Sequence, residues 1–197
     1  MSRVSLQDCT WCKLSRTRTQ VIQGAGSLDT GIMFLSESPG RGEDETGEPF
    51  TGKHTEAVFD GVLDALDLGR DDVWVTYVVK CRTVDYDEYN GKIKQRAPEM
   101  EEMEACSEWL DLELETIKPK IIVALGATAL YSLTKLTGIY EHRGRFVSVP
   151  GKVYRIFPMF HPTFISYNRN EPSIIETVKD DLENLKKGID KCLKRKQ

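Results

Sequence analysis

Four stretches of the chain are apolar and rich in β-branched residues: Gly31 to Ser36, Val73 to Val79, Ile121 to Leu125 and Val153 to Phe160. Short runs with few polar gaps predict strands covered on both faces. Between them, apolar residues recur with helical period. Thr55 to Leu66 sets Val58, Val62, Leu63 and Leu66 on one stripe, and Pro98 to Ile117 does so with Met103, Cys106, Leu110, Leu114 and Ile117. That second stretch also has proline at its first turn and acidic residues early, as helix starts do. Ala127 to Leu136 follows the third strand directly, and Ile174 to Ile189 is amphipathic. Strands alternating with helices predict an α/β fold: a central, four-stranded, mainly parallel sheet flanked by helices. No repeat or low-complexity linker interrupts the pattern. The 197 residues therefore read as one domain, with a core over 9–188 and a basic tail over 189–197.

In such sheets ligands bind beyond the carboxyl ends of the strands. The residues there carry chemistry. Ser36-Glu37-Ser38-Pro39-Gly40 follows the first strand, then Glu43-Asp44 and Gly47-Glu48-Pro49-Phe50-Thr51-Gly52. Lys80-Cys81-Arg82 follows the second, Gly126 the third, and His161-Pro162-Thr163 the fourth.

Composition adds bounds. Hydrophobic residues are 40% and charged residues 29%, ordinary for a soluble globular protein. No apolar run approaches the roughly 20 residues needed to span a bilayer, and Met1 to Lys13 lacks the apolar centre of a secretory signal. The expectation is a cytoplasmic protein, monomeric and away from membranes. A net charge of −4 gives no global attraction to nucleic acid, so DNA binding would need local positive charge. Three patches qualify: Lys13, Arg16 and Arg18; Arg143, Arg145, Lys152 and Arg155; and the lysine-rich end from Lys186 to Lys196.

Cytoplasmic thiols stay reduced, which argues against a disulfide framework for the five cysteines. Cys9 and Cys12 form a C-x-x-C pair that precedes every predicted strand, whereas redox pairs follow a strand. Metal binding is the favoured reading. Four cysteines suit zinc or an iron–sulfur cubane equally.

Taken together, these motifs resemble those of the family 4 uracil-DNA glycosylases. Ser36-Glu-Ser-Pro-Gly40 with Glu43-Asp44, Gly47, Pro49-Phe50 and Gly52 is similar to their G-E-A-P-G-x-x-E-D-x-x-G-x-P-F-V-G, and His161-Pro162-Thr163 to their H-P-S. Val78-Val79-Lys80-Cys81-Arg82, Ile117-Lys118-Pro119, Leu125-Gly126 and Arg143-Gly144 match in order, so the resemblance covers about residues 9 to 188. It implies a [4Fe–4S] cluster on Cys9, Cys12, Cys81 and Cys106, with DNA as the partner. Cys192 matches nothing in the motif set.

The chemistry reads consistently with this. Cleaving an N-glycosidic bond develops positive charge on the sugar and negative charge on the departing base, so a carboxylate and a donor to a carbonyl oxygen are both useful. The base must first be flipped into a pocket. Glu37 and Glu43 are the candidate carboxylates and His161 the donor, completing the catalytic set. Ser36, Ser38, Pro39, Gly40, Phe50, Tyr77 and Arg143 are the candidate base- and DNA-binding residues, with Phe50 as the stacking face.

Three departures from the family pattern bear on specificity. Tyr77 stands where the pattern has a base-reading asparagine, four residues before Cys81. A phenol offers one hydroxyl where an amide offers a donor and an acceptor. Ser36 replaces a glycine, Ser38 an alanine, and His54-Thr55 an Ala-Gly pair. The stretch from Thr83 to Ala97 is longer than usual and contains Asn90-Gly91, a hairpin-turn signal. The expectation is a monofunctional DNA glycosylase that leaves an abasic site, acting on uracil or a modified pyrimidine. The alternative is a catalytically silent iron–sulfur protein that binds DNA or a replication partner. No motif positions a lysine for strand cleavage.

Overall fold

The computed structural model describes residues 5–86, 89 and 93–193. Its first half runs β1 (Ala25–Gly26), β2 (Ile32–Ser36), α1 (Arg41–Thr46), α2 (Glu56–Ala65), β3 (Trp74–Tyr77), β4 (Val84–Tyr86) and β5 (Ile93–Gln95). The second half runs α3 (Met100–Ile117), β6 (Ile121–Leu125), α4 (Ala127–Thr134), α5 (Ile139–His142), β7 (Val147–Ser148), β8 (Arg155–Met159), α6 (Pro162–Tyr167) and α7 (Pro172–Leu193).

The four apolar stretches form the parallel centre of the sheet, in the order β3-β2-β6-β8. The sheet has six strands rather than the four expected. Antiparallel β1 and β7 close its two edges, and at two residues each they are too short to leave a periodic signal. The fourth strand also begins later than its composition suggests. Val153 is almost fully exposed, and pairing starts at Arg155.

Every residue of β2 and β6 is buried, and the alternation of side chains divides them between two cores. Phe34 and Val123 face Phe59, Val62 and Leu63 of α2 and Leu185 of α7. Met33, Leu35, Ile122 and Ala124 face Cys106 and Leu110 of α3 and Ala129 of α4. Covering both faces is what makes these strands read as continuous apolar runs.

Thr83 to Ala97 contains a second, two-stranded sheet, with Val84 opposite Gln95 and Tyr86 opposite Ile93. The Asn90-Gly91 turn expected at its tip lies outside the described residues, as does the end of the basic tail, 194–197. The acidic stretch after Pro39-Gly40 forms the short helix α1. Glu45 in that helix and Glu48 beyond it are solvated, whereas Glu43 and Asp44 are buried.

Candidate active site

β2, β3, β6 and β8 all end at one cavity of ≈ 810 Å³. Ser36, Glu37, Ser38, Gly40, Glu43, Phe50, Tyr77 and His161 line it, so the structure brings together most of the residues singled out from sequence. Gly126 turns the chain from β6 into α4 with φ +91°, a left-handed conformation suited to glycine. A Cβ there would lie 3.3 Å from that of His161, so a larger residue would push the histidine out of place.

His161 caps α6. Its Nδ1 accepts from the backbone N–H of Thr163 at 3.1 Å, so in the neutral ring Nε2 carries the hydrogen. Burial pulls its pKa from 6.5 to about 4, which keeps the ring neutral near pH 7. Nε2 lies 2.8 Å from the Ser36 hydroxyl, which accepts. Glu37 accepts a hydrogen bond from the hydroxyl of Thr128 at the start of α4. Burial raises its pKa, partly offset by that hydrogen bond. Thr128 has no counterpart among the sequence candidates, because a threonine early in a helix carries no signal of its own.

Glu43 is used differently. One carboxylate oxygen accepts from the Gly40 N–H at 3.0 Å; the other accepts from the Gly52 N–H and the Thr55 hydroxyl, each at 3.2 Å. With both oxygens committed, Glu43 straps the Pro39-Gly40 turn to the Gly52 loop. Asp44 does the same on the other side, accepting from the N–H and hydroxyl of Thr19 at 2.9 Å.

Phe50 was expected to offer its face to a base. Its ring instead stacks on Phe59 at 4.1 Å and on Tyr77 at 5.5 Å between centroids, and it is 1% exposed. Its φ of +56° is unusual for a residue with a side chain. Two groups hold it there: the Phe50 N–H donates to the Tyr77 hydroxyl at 2.9 Å, and its carbonyl accepts from Arg70 at 3.0 Å. Tyr77 is thus buried against the very ring that was to stack on substrate.

The β4–β5 hairpin forms part of the cavity wall through Arg82 and Gln95. Gln95 donates to the Pro39 carbonyl at 3.2 Å, and the hydroxyls of Ser38 and Thr83 meet at 2.9 Å. The insertion is therefore docked on the Pro-Gly turn. Positive charge at the cavity comes from Arg41, Lys53 and Arg82, not from the three runs picked out along the sequence. Those runs are largely committed elsewhere: Lys13 pairs with Glu99 at 2.6 Å, Arg18 serves the cysteines, and Arg155 lies over the Phe146 ring. Isolated basic residues on separate loops leave no run to read.

A second, smaller cavity is lined by Cys9, Cys12, Cys81 and Cys106 together with Trp11, Arg18, Lys80 and Trp109. Three of the four sulfurs accept a hydrogen bond: Cys9 from Trp109 Nε1 at 3.4 Å, Cys81 from Arg18 at 3.6 Å, and Cys106 from the Lys80 N–H at 3.3 Å. Burial pushes the Cys81 thiol up to about 12 and Cys106 up to about 11. Among the described residues, no three His, Cys, Asp or Glu side chains converge closely enough to hold a single metal ion.

The family model described as "Uracil DNA glycosylase superfamily" matches residues 23–183. The chain belongs to that superfamily. It is 37% identical to the type-4 uracil-DNA glycosylase of Thermotoga maritima, over 94% of this chain and 92% of that one. The type-4 uracil-DNA glycosylase of Sulfurisphaera tokodaii is 36% identical over 85% of this chain and 76% of its own. The crystal structure of Pedobacter heparinus SMUG2 shares the fold, with a TM-score of 0.57 at 14% identity over 83% and 76% of the two chains.

Two candidates of this superfamily member fall outside the cavity lining: Pro39, in the turn beside it, and Arg143. Arg143 was expected to meet DNA. It binds Asp181 of α7 through Nε at 2.7 Å and through Nη2, which also donates to the Thr177 carbonyl at 3.0 Å. Asp181 is 1% exposed, so a buried carboxylate claims the guanidinium and Arg143 ties the end of α5 to the last helix. Lys80, which the sequence left without a role, is likewise fixed in a buried pair with Glu113 at 2.6 Å.

Proposed function

We propose that this protein is a monofunctional DNA glycosylase, with Glu37 as its catalytic carboxylate. The observation that carries the reading is the meeting of Glu37 with the neutral Ser36–His161 donor pair in one cavity at the strand ends. Arg41, Lys53 and Arg82 at that cavity suit the phosphates of a flipped nucleotide. As the glycosidic bond lengthens, the Glu37 carboxylate stabilises the cationic sugar and takes a proton from the attacking water. Its raised pKa makes it a better base than an ordinary carboxylate. The electron pair of the broken bond leaves with the base, whose carbonyl oxygen meets the Ser36–His161 donor pair. Glu43 holds the loops and acts through them.

The four cysteine thiols fit a [4Fe–4S] cluster. They line one cavity, and three of the four sulfurs receive a hydrogen bond of the kind that stabilises thiolates. The cluster would supply a structural crosslink there, joining Cys9 and Cys12 of the N-terminal segment to Cys81 beyond β3 and Cys106 of α3.

The base is uracil or a modified pyrimidine. Tyr77 over Phe50 favours the second, because the stacking face that an ordinary uracil would use is occupied. The test is a panel of oligonucleotides carrying uracil, hypoxanthine, hydroxymethylated and glucosylated pyrimidines, scored for abasic sites. Excision of at least one base is expected. Tight DNA binding with no abasic site from any of them would leave the silent iron–sulfur binding protein as the better reading.

A further inference from the structure

Ser36 sits where the resembled motif has a glycine, and its hydroxyl has no counterpart there. It is 1% exposed as a residue, yet it lines the cavity beside Glu37. Its oxygen accepts from His161 Nε2 at 2.8 Å, and the direction of that bond follows from Thr163, whose N–H already fills Nδ1. The hydroxyl hydrogen of Ser36 has no acceptor among the described residues. A donor whose oxygen is already polarised by a second donor is a stronger donor itself, because hydrogen bonds in a chain reinforce one another in a site of low dielectric. The backbone at Ser36 is equally fixed. Its carbonyl accepts from the Val78 N–H at 2.8 Å, and the residue pairs with Tyr77 across the sheet.

We infer that Ser36 is a catalytic residue: its hydroxyl, backed by His161, donates the hydrogen bond to the carbonyl oxygen of the departing base. This rests on the glycosylase reading above. In the step, the C1′–N bond breaks and its electron pair passes to the base, where the charge spreads onto the carbonyl oxygen facing Ser36. Water adds its oxygen to C1′, and its proton goes to Glu37 and then through solvent to the base. Ser36 and His161 keep their own hydrogens throughout; they stabilise charge without transferring it. His161 then acts through Ser36, and the ring stays in one tautomer because Thr163 and Ser36 fix its two nitrogens.

The alternative is that Ser36 merely occupies His161, which must swing free to reach the base itself. The two arrangements give opposite results for Ser36→Ala. In the relay, excision of the best pyrimidine substrate slows by roughly 10²-fold in kcat, with little change in KM. The loss shrinks to under about tenfold for a 5-fluoro-substituted base, whose anion is more stable and needs the donor less. His161→Asn, which keeps an acceptor to cap α6, slows the reaction similarly, and the double variant is no slower than the worse single, as groups acting in series require. In the loaded protein without DNA, the Nε2 nitrogen signal of His161 shifts in Ser36→Ala while Nδ1 keeps its bond to Thr163. A Ser36→Ala enzyme as fast as the wild type, or faster, overturns the inference and leaves His161 as the direct donor. Equal losses on the two bases also overturn it, leaving Ser36 a packing role. Wild-type protein that excises no base in the panel removes the glycosylase reading, and this inference with it.

Discussion

Strand β3 feeds two cavities that use polar atoms in opposite ways. Its last residue, Tyr77, lines the large cavity, and four residues later Cys81 enters the cysteine cavity. Around the cysteines three of the four sulfurs have a donor, and two tryptophans, Trp11 and Trp109, stack at 5.0 Å over the site. In the large cavity, Ser36 and Tyr77 each accept one hydrogen bond, and their hydroxyl hydrogens have no acceptor among the described residues. A closed set of partners suits a fixed structural group, whereas uncommitted donors suit a ligand that comes and goes.

The largest expected effect tests the stapling side. Cys106→Ala should yield protein without iron, mostly insoluble, because three thiolates and a buried vacancy replace the link between α3 and the N-terminal segment. Wild-type protein, prepared without oxygen, should carry about four irons per chain and be brown. Cys192→Ser, outside that cavity, should leave iron content unchanged and stability within about 0.5 kcal/mol. One zinc and no iron in the wild type would end the cubane reading and reopen the zinc one.

Next comes the division of labour between the two carboxylates. Glu37→Gln should lower kcat by about 10²- to 10⁴-fold with DNA binding retained. Glu43→Gln should show the reverse emphasis. It breaks up a carboxylate with three donors, so it should cost roughly 2–3 kcal/mol of stability and lower kcat much less. Thermal melts and single-turnover rates on the two variants decide it. If Glu43→Gln is as slow as Glu37→Gln while melting like the wild type, the catalytic carboxylate has been placed on the wrong residue.

How much of this could be read beforehand differs between the cavities. The central strands were legible because burial on both faces writes an unbroken apolar run, and the strand ends then pointed to Glu37, Arg82, Gly126 and His161, which line one cavity. The edges were not, since two-residue strands have no period. Nor could the sequence tell Glu37 from Glu43. Both are acidic residues near a Pro-Gly turn, and only the donors around them distinguish the two: Thr128 in one case, Gly40, Gly52 and Thr55 in the other. The ion pair of Arg143 was illegible for the same reason: its partner Asp181 lies on a helix far along the chain.

Tyr77 sharpens the comparison further, with a smaller effect. Tyr77→Asn removes the ring that covers Phe50 and restores an amide at the cavity, so uracil excision should rise by about tenfold. The variant should also melt lower, because the Phe50 N–H loses its acceptor and the positive φ of Phe50 loses one of its two restraints. Tyr77→Phe isolates the second effect: it keeps the ring, orphans the same N–H at a cost of roughly 1–3 kcal/mol, and should leave base preference unchanged. Uracil excision that is efficient in the wild type and unchanged in Tyr77→Asn would place specificity elsewhere.

The smallest effect is a pH dependence in which two cavity residues oppose each other. His161 has a folded pKa of about 4 against an ordinary 6.5. Between those values the unfolded chain binds the proton more readily, so acidification destabilises the fold through this residue; above pH 6.5 its contribution is complete, and below about 4 the loss levels off. Glu37 is shifted upward from 4.5, so the folded state binds its proton first. Acidification through that window therefore favours the fold, and the two contributions partly cancel in the wild type. Removing one should expose the other. Melts between pH 7 and pH 5 should show a steeper acid loss in Glu37→Gln than in the wild type, and a shallower one in His161→Gln. An acid loss in His161→Gln equal to that of the wild type would mean that the imidazole is not held neutral by burial. The Ser36 hydroxyl would then face a charged ring rather than a neutral donor.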